Sequence, residues 1–256
     1  MSLLSPESKI TERRFGGMSR LFGELGAKRI QQVHMAVIGI GGVGSWAAES
    51  LARSGVKRLT LVDMDHIAES NINRQLHALS CTIGQAKVLA MQDRIQQINA
   101  DCVVTPVEDF INADNIHEHL QHGLDLVIDA TDQVSAKVAM AAWSLQTATP
   151  LVMVGAAGGK KWAHQVDMAD LSDVTHDPLL AHVRHSLRKM QFQLKPKTPC
   201  GIHAVFSKEP VTRPMASNET QSTDNTLNCH GYGSLAAVTA TFGQCAAGWA
   251  LNHFSK

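Results

Sequence analysis

A chain of 256 residues with 44% apolar content is long enough to bury a core as one large α/β domain or two small ones, which excludes disorder as a starting point. Lys plus Arg and Asp plus Glu both total 23, so no global charge points to nucleic acid or membrane, and either partner would have to be met by a local patch. The five cysteines, Cys81, Cys102, Cys200, Cys229 and Cys245, form no CxxC pair for a structural zinc and read as reduced thiols of a cytoplasmic protein.

The polar, mixed-charge opening MSLLSPESKITERRFGG lacks the apolar stretch of a secretory signal and is expected to form a helical arm. Residues 34–39 are a short apolar run ending in glycines, and residues 43–54 then take up a helical period, giving strand, turn and helix. A second strand over 58–63 follows the break at Gly55. Helical spacing returns over 83–98 and 134–146, with strand-like runs at 102–107, 124–130 and 150–154. This alternation predicts an α/β, Rossmann-like, mainly parallel sheet with helices on both faces.

Beyond Gly155 the pattern weakens. A strand is expected at 162–168, a helix at 177–190 and one more strand at 202–207, inside a long stretch of turn formers where substrate contacts are expected. The chain therefore divides into a nucleotide-binding half, 1–155, and a substrate-binding and dimerisation half, 156–256, within one continuous domain. Residues 234–251 carry no formal charge. Their Ala, Gly, Thr, Ser and Gln content favours a buried or dimer-interface helix, the other reading being association with the inner membrane.

Gly39, Gly41 and Gly44 make a GxGxxG pattern, with Gly42 added, between the first strand and the first helix. There, phosphate oxygens can approach backbone N–H groups at a helix N-terminus. Asp63 ends the second strand, where an acidic side chain can accept hydrogen bonds from ribose hydroxyls or merely cap a turn; up to this point NAD and ATP are equally good ligands. The segment LVDMDHIAESNINRQ and Lys87 separate them. A dehydrogenase has no use for an Asn, an Arg and a Lys converging here, whereas attack of a carboxylate on an α-phosphate builds charge that Arg74 and Lys87 can stabilise, with Asn71 or Asn73 holding phosphate oxygens. Asp129 and Asp132 in VIDATDQ lie at the C-terminal end of another parallel strand, and one of them suits magnesium, Asp132 being equally suited to cap the next helix.

The glycine loop, Asp63, SNINRQ, Lys87 and ATDQ together resemble the adenylation domain of the ubiquitin-activating-enzyme superfamily, which includes the adenylyltransferases of molybdopterin and thiamine biosynthesis. The resemblance implies ATP as cosubstrate, with Asp63 on its ribose, Arg74 and Lys87 on its phosphates, Asp132 on magnesium and Asp129 as the second choice. It also implies a homodimer in which an arginine of RRFGGMSRLFG, Arg20 ahead of Arg14, reaches the other protomer's ATP.

The members that serve sulfur carriers often have two CxxC pairs, which this chain lacks. RFGG, GIGGVGSWAAESLARSG, NRQLHAL and VTATFG are similar instead to the tRNA-modifying branch, which adenylates the threonyl carboxylate of threonylcarbamoyladenosine and cyclises it. A tRNA partner would meet Arg184, Arg188, Lys189, Lys195 and Lys197, with Lys208, Arg213, Lys160 and Lys161 extending the basic face. Two readings from other classes remain: an adenylyltransferase acting on a small sulfur-carrier protein with a sulfur-transfer partner, and a dinucleotide-binding oxidoreductase. Cys229 in NCHGYG is the thiol placed to act as a nucleophile, or to serve structure or face the substrate.

Overall fold

The computed structural model describes residues 6–120, 123–195, 197–212 and 232–256. After helix α1 (Pro6–Gln32), which bends at Gly23 (φ 74°, ψ 165°), the chain enters β1 (His34–Ile38), α2 (Gly44–Arg53) and β2 (Arg58–Val62). It continues through α3 (Lys87–Ile98), β3 (Val103–Val107), the short α4 (Ile116–His119), β4 (Leu126–Asp129), α5 (Val134–Thr147) and β5 (Leu151–Val154). The last elements are β6 (Val166–Asp170), α6 (Pro178–Lys189), β7 (His203–Ser207) and α7 (Ala236–Ser255).

These strands form one seven-stranded sheet in the order β3-β2-β1-β4-β5-β7-β6. Every neighbouring pair is parallel except β6 with β7, and the pairing of β5 with β7 carries the sheet across residue 155. Strands buried on both faces read as continuous apolar runs, as HMAVI and LVID do. The pleat sends alternate side chains to two cores. Met35 and Val37 join α2, α3 and α7 on one face, while Ala36 and Ile38 join α5 and α6 on the other.

Two expected boundaries move. The helix expected from residue 83 starts only at Lys87, because Gly84 (φ 86°) turns the chain and donates its N–H to Ile67. The strand expected at 162–168 begins at Val166, after a 3-10 turn over Ala163–Gln165.

The uncharged C-terminal segment is α7, whose Val238, Phe242, Ala246 and Ala250 are fully buried against the face that carries α2. A Cβ on Gly243 would lie 2.4 Å from the Val43 carbonyl, so glycine lets α7 press against the start of α2. Its apolar surface thus lies inside the fold rather than against lipid, and no helix among the described residues is long and apolar enough to cross a membrane.

Candidate active site

The chain leaves β1 toward β2 and β3 and returns from β3 to β4 on the other side, so the strand order reverses between β1 and β4. Open α/β sheets bind ligands at the carboxyl ends of strands at such a point. Here it opens a cavity of about 540 Å³ whose wall includes Gly39, Gly41, Gly42, Asp63, Asn71, Arg74, Lys87 and Asp132.

The glycine turn has steric reasons for its composition. Gly39 takes φ 85°, and a Cβ there would lie 2.9 Å from the Ala130 carbonyl. Gly44 packs so closely on the turn that its Cβ would stand 1.8 Å from the Gly39 carbonyl. Val43 at the N-cap of α2 offers no side-chain acceptor, so the dipole and N–H groups of that end are available to an anion.

Asp63 anchors the turn as well as facing the cavity. Its Oδ2 accepts from Ile40 N–H (2.6 Å) and its Oδ1 from Asp65 N–H (2.9 Å). Burial pushes its carboxyl above the usual range, the nearby Lys87 ammonium opposing that shift. Lys87, 5% exposed, places Nζ 2.6 Å from Asp65 and 3.6 Å from Asp63.

The SNINRQ segment is pinned by its own side chains. Asn71 Oδ1 accepts from Ala68 N–H, and Arg74 Nη1 donates to Ser70 O (2.8 Å) and Asn73 Oδ1 (3.0 Å). A Cβ on Gly42 would lie 3.2 Å from Arg74 Cγ, so the arginine stem crosses the glycine turn. Asn73 is exposed and is not among the residues of the cavity wall; its Nδ2 donates to Ser234 O, ahead of α7, while its Oδ1 accepts from Arg74.

Asp129 and Asp132 separate cleanly. Asp129 is fully buried outside the cavity wall, with Lys137 Nζ 3.1 Å from its Oδ2 in ion-pair range but outside hydrogen-bond geometry, and with Thr131 N–H and Oγ1–H donating to its Oδ1. It thereby fixes the 130–132 turn. Asp132 lines the cavity, and because Gln133 occupies the N-cap position of α5 without capping, the carboxylate is not committed to the helix. Three further lining residues carried no signal alone: Gln75, whose buried Oε1 has no partner among the described residues, and Asp109 and Phe110 beyond β3.

Arg20 is exposed on α1 beside Gly16 and Gly17 and is not in the wall of the nucleotide-sized cavity, while Arg14 donates to Ile98 O (2.9 Å) at the end of α3. Arg188, Lys189, Lys195 and Lys197 are exposed, and half-buried Arg184 lines a second cavity. Lys160 does not belong to a basic face. It is 3% exposed, donates to the Ser207 and Glu209 carbonyls, and burial depresses its pKa. Lys208 is engaged by Asp167 at 2.6 Å. Cys229 and Arg213 lie outside the described residues.

His77, next to this network, is 3% exposed and neither ring nitrogen has a hydrogen-bond partner among the described residues. Burial, with Lys87 and Arg94 adding repulsion, lowers its pKa from 6.5 to about 4. Between those values the unfolded chain binds a proton that the folded one refuses, so stability is complete above pH 6.5 and falls as pH drops, by about 2 kcal/mol at pH 5. Urea unfolding at pH 7 and pH 5 should show a loss about 2 kcal/mol larger in the wild type than in His77→Leu, since His34 and His203, whose pKa values burial also lowers, remain in both; an equal loss in both would contradict it.

A glycine turn at the switch point of a largely parallel sheet, with a buried acid ending the next strand, defines a Rossmann-like nucleotide-binding α/β fold. More narrowly, the chain belongs to the ThiF family, whose sequence profile matches residues 17–256. It is 46% identical over 234 residues to the tRNA threonylcarbamoyladenosine dehydratase of Haemophilus influenzae, covering 91% of this chain and 89% of that one. It is 36% identical over 127 residues to the molybdopterin-synthase adenylyltransferase of Salmonella typhimurium, covering 50% and 51%. Among solved structures it is similar to the E. coli tRNA N6-threonylcarbamoyladenosine dehydratase in complex with ATP, with TM-score 0.86, 40% identity and coverage of 99% and 97%.

Proposed function

We propose that this protein uses ATP to adenylate the threonyl carboxylate of N6-threonylcarbamoyladenosine in tRNA and then cyclises it with loss of water. The observation that carries the substrate assignment is the extent of similarity: it spans about nine-tenths of both chains for the dehydratase and half for the carrier-activating enzyme.

The residues support each step. The triphosphate lies on the glycine turn, the ribose donates to Asp63, and Arg74 and Lys87 face the charge that develops on the phosphates. Magnesium suits this donor set, because one uncommitted carboxylate, Asp132, on a phosphate cavity is the ligation that ion takes, and it would neutralise phosphate charge there. A carboxylate oxygen bonds to the α-phosphorus as the bridge to the β-phosphate breaks and pyrophosphate leaves. The carbamoyl group then attacks the acyl carbon, losing a proton, and AMP departs. Both reacting groups belong to one nucleoside, so proximity drives closure without a covalent enzyme intermediate. Exposed Arg188, Lys189, Lys195 and Lys197 meet the RNA backbone. The assembly is a homodimer in which Arg20, exposed on α1, reaches the partner's ATP.

Mass spectrometry of tRNA nucleosides after incubation with enzyme, ATP and magnesium should show one water lost from the threonylcarbamoyl nucleoside. Absence of that loss, with ATP–pyrophosphate exchange appearing only on addition of a small carrier protein, would replace this function with the carrier-activating one.

A further inference from the structure

A second cavity of about 500 Å³ lies against the first, sharing Ala156 and Leu179 in its wall. Its construction is deliberate at the partition. Asp177 Oδ1 caps α6 through Leu180 N–H (2.9 Å), and its Oδ2 accepts from Ala156 N–H (2.9 Å), tying the chain beyond β5 to the start of α6. Gly155 permits this, since a Cβ there would lie 2.1 Å from Asp177 Oδ2. With both oxygens engaged, Asp177 has little left to offer a ligand.

Arg184, about two turns further along α6, also lines this space. Among the described residues its hydrogen bond is a long one, from Nη1 to Leu171 O at 3.3 Å, so most of its five N–H donors remain for an occupant. The lining also includes His176 and, from beyond β7, the apolar or aromatic Pro210, Val211 and Tyr232. One guanidinium fork in a lining that is otherwise largely aliphatic and aromatic suits a flat heterocycle with acceptor atoms on its edge better than a phosphate, which would call for several cations.

We propose that this second cavity is the nucleoside subsite, holding the modified purine while its carboxylate reaches the nucleotide cavity next door, with Arg184 donating to the acceptor edge of the base or to the carbamoyl oxygen. The inference rests on the function proposed above. In that substrate the purine N6 and the acid carbon are separated by four bonds, ~5 Å, which a shared wall accommodates and two separate sites would not. Arg184 is thereby removed from the backbone-binding group and made a specificity determinant. The exposed lysines keep the phosphates.

The test compares tRNA carrying the modification with the same tRNA lacking it, in direct binding to wild type, Arg184→Ala and Val211→Trp, the last narrowing the cavity from another residue of its wall. The wild type should prefer the modified tRNA, and each variant should lose about tenfold of that preference. Affinity for unmodified tRNA and for ATP should stay unchanged. Equal weakening on both tRNAs by Arg184→Ala would make it a phosphate contact and overturn the subsite, as would an intact preference in both variants. A wild type that turns over modified tRNA while the variants keep the preference removes the subsite alone. A wild type that removes no water from the nucleoside removes the proposed function, and the subsite with it.

Discussion

Lys87→Met should lower kcat/KM for the ATP-dependent reaction by about a hundredfold or more while the protein stays folded. Lys87 is the first residue of α3, where the helix dipole disfavours a cation and where acidic residues ordinarily sit. It is also 5% exposed, so its placement costs desolvation as well. Two carboxylates hold it there, Asp65 at 2.6 Å and Asp63 at 3.6 Å. Under the proposed function, a charge kept in so unfavourable a position in the wall of the 540 Å³ cavity meets the negative charge that builds on a phosphoryl group in the transition state. Methionine keeps the apolar stem packed and removes only the ammonium. The carboxylate released closest to it, Asp65, is 58% exposed and can be solvated, so the stability loss should be small beside the kinetic one. Rapid-quench measurement of pyrophosphate release, with ATP binding and thermal unfolding alongside, separates the two. Near-normal pyrophosphate release would remove Lys87 from the reaction.

The sheet and the glycine turn were legible because they rest on periodicity and on residue types with few alternatives. Apolar runs of five to seven residues bounded by turn formers fixed β1, β2, β4 and β5 to within a residue or two. The pair Asp129 and Asp132 shows where that reasoning ends. Both follow a parallel strand, but Asp129 is still within β4, whose pleat turns Val127 and hence Asp129 to the face carrying α5. There Lys137 meets it at zero exposure. In sequence that lysine looks like the outward member of an amphipathic helix, and only the packing of α5 on β4 shows it pointing inward. Lys160 misleads in the same way, since its neighbours Gly158 and Gly159 suggest a loose basic loop while the chain buries it under Glu209. Charged residues that neutralise one another inside a fold leave no local pattern, because the partner is distant in the chain or on another face. The spacing left Asn71 and Asn73 as alternatives for a phosphate oxygen; Asn71 lines the cavity, and the amide of Asn73 makes a contact that sequence could not show, to Ser234, 161 residues away.

The glycine turn offers a contrast in which neighbouring substitutions should fail for different reasons. In Gly44→Ala the new methyl would stand 1.8 Å from the Gly39 carbonyl, a backbone atom of a turn that Ile40 ties to Asp63 and Gly39 ties to Val62. No side-chain rotation relieves that overlap. Either α2 shifts against α7 and the sheet or the turn opens, and a core packed at crystal density resists both. Unfolding free energy should fall by about 3 kcal/mol or more, and nucleotide binding should go with it. In Gly41→Ala the nearest atom to the methyl is Gln75 Nε2 at 4.0 Å, and the residue has no left-handed backbone to strain. That protein should unfold in urea at the wild-type midpoint. Its methyl nevertheless lines the cavity where phosphate oxygens must approach the backbone, so ATP affinity should drop about tenfold or more. Calorimetric ATP titration beside urea unfolding for both variants reads the two effects separately. If Gly41→Ala binds ATP as the wild type does, the triphosphate does not lie on this turn, and the assignments of Arg74 and Lys87 to its phosphates fall together.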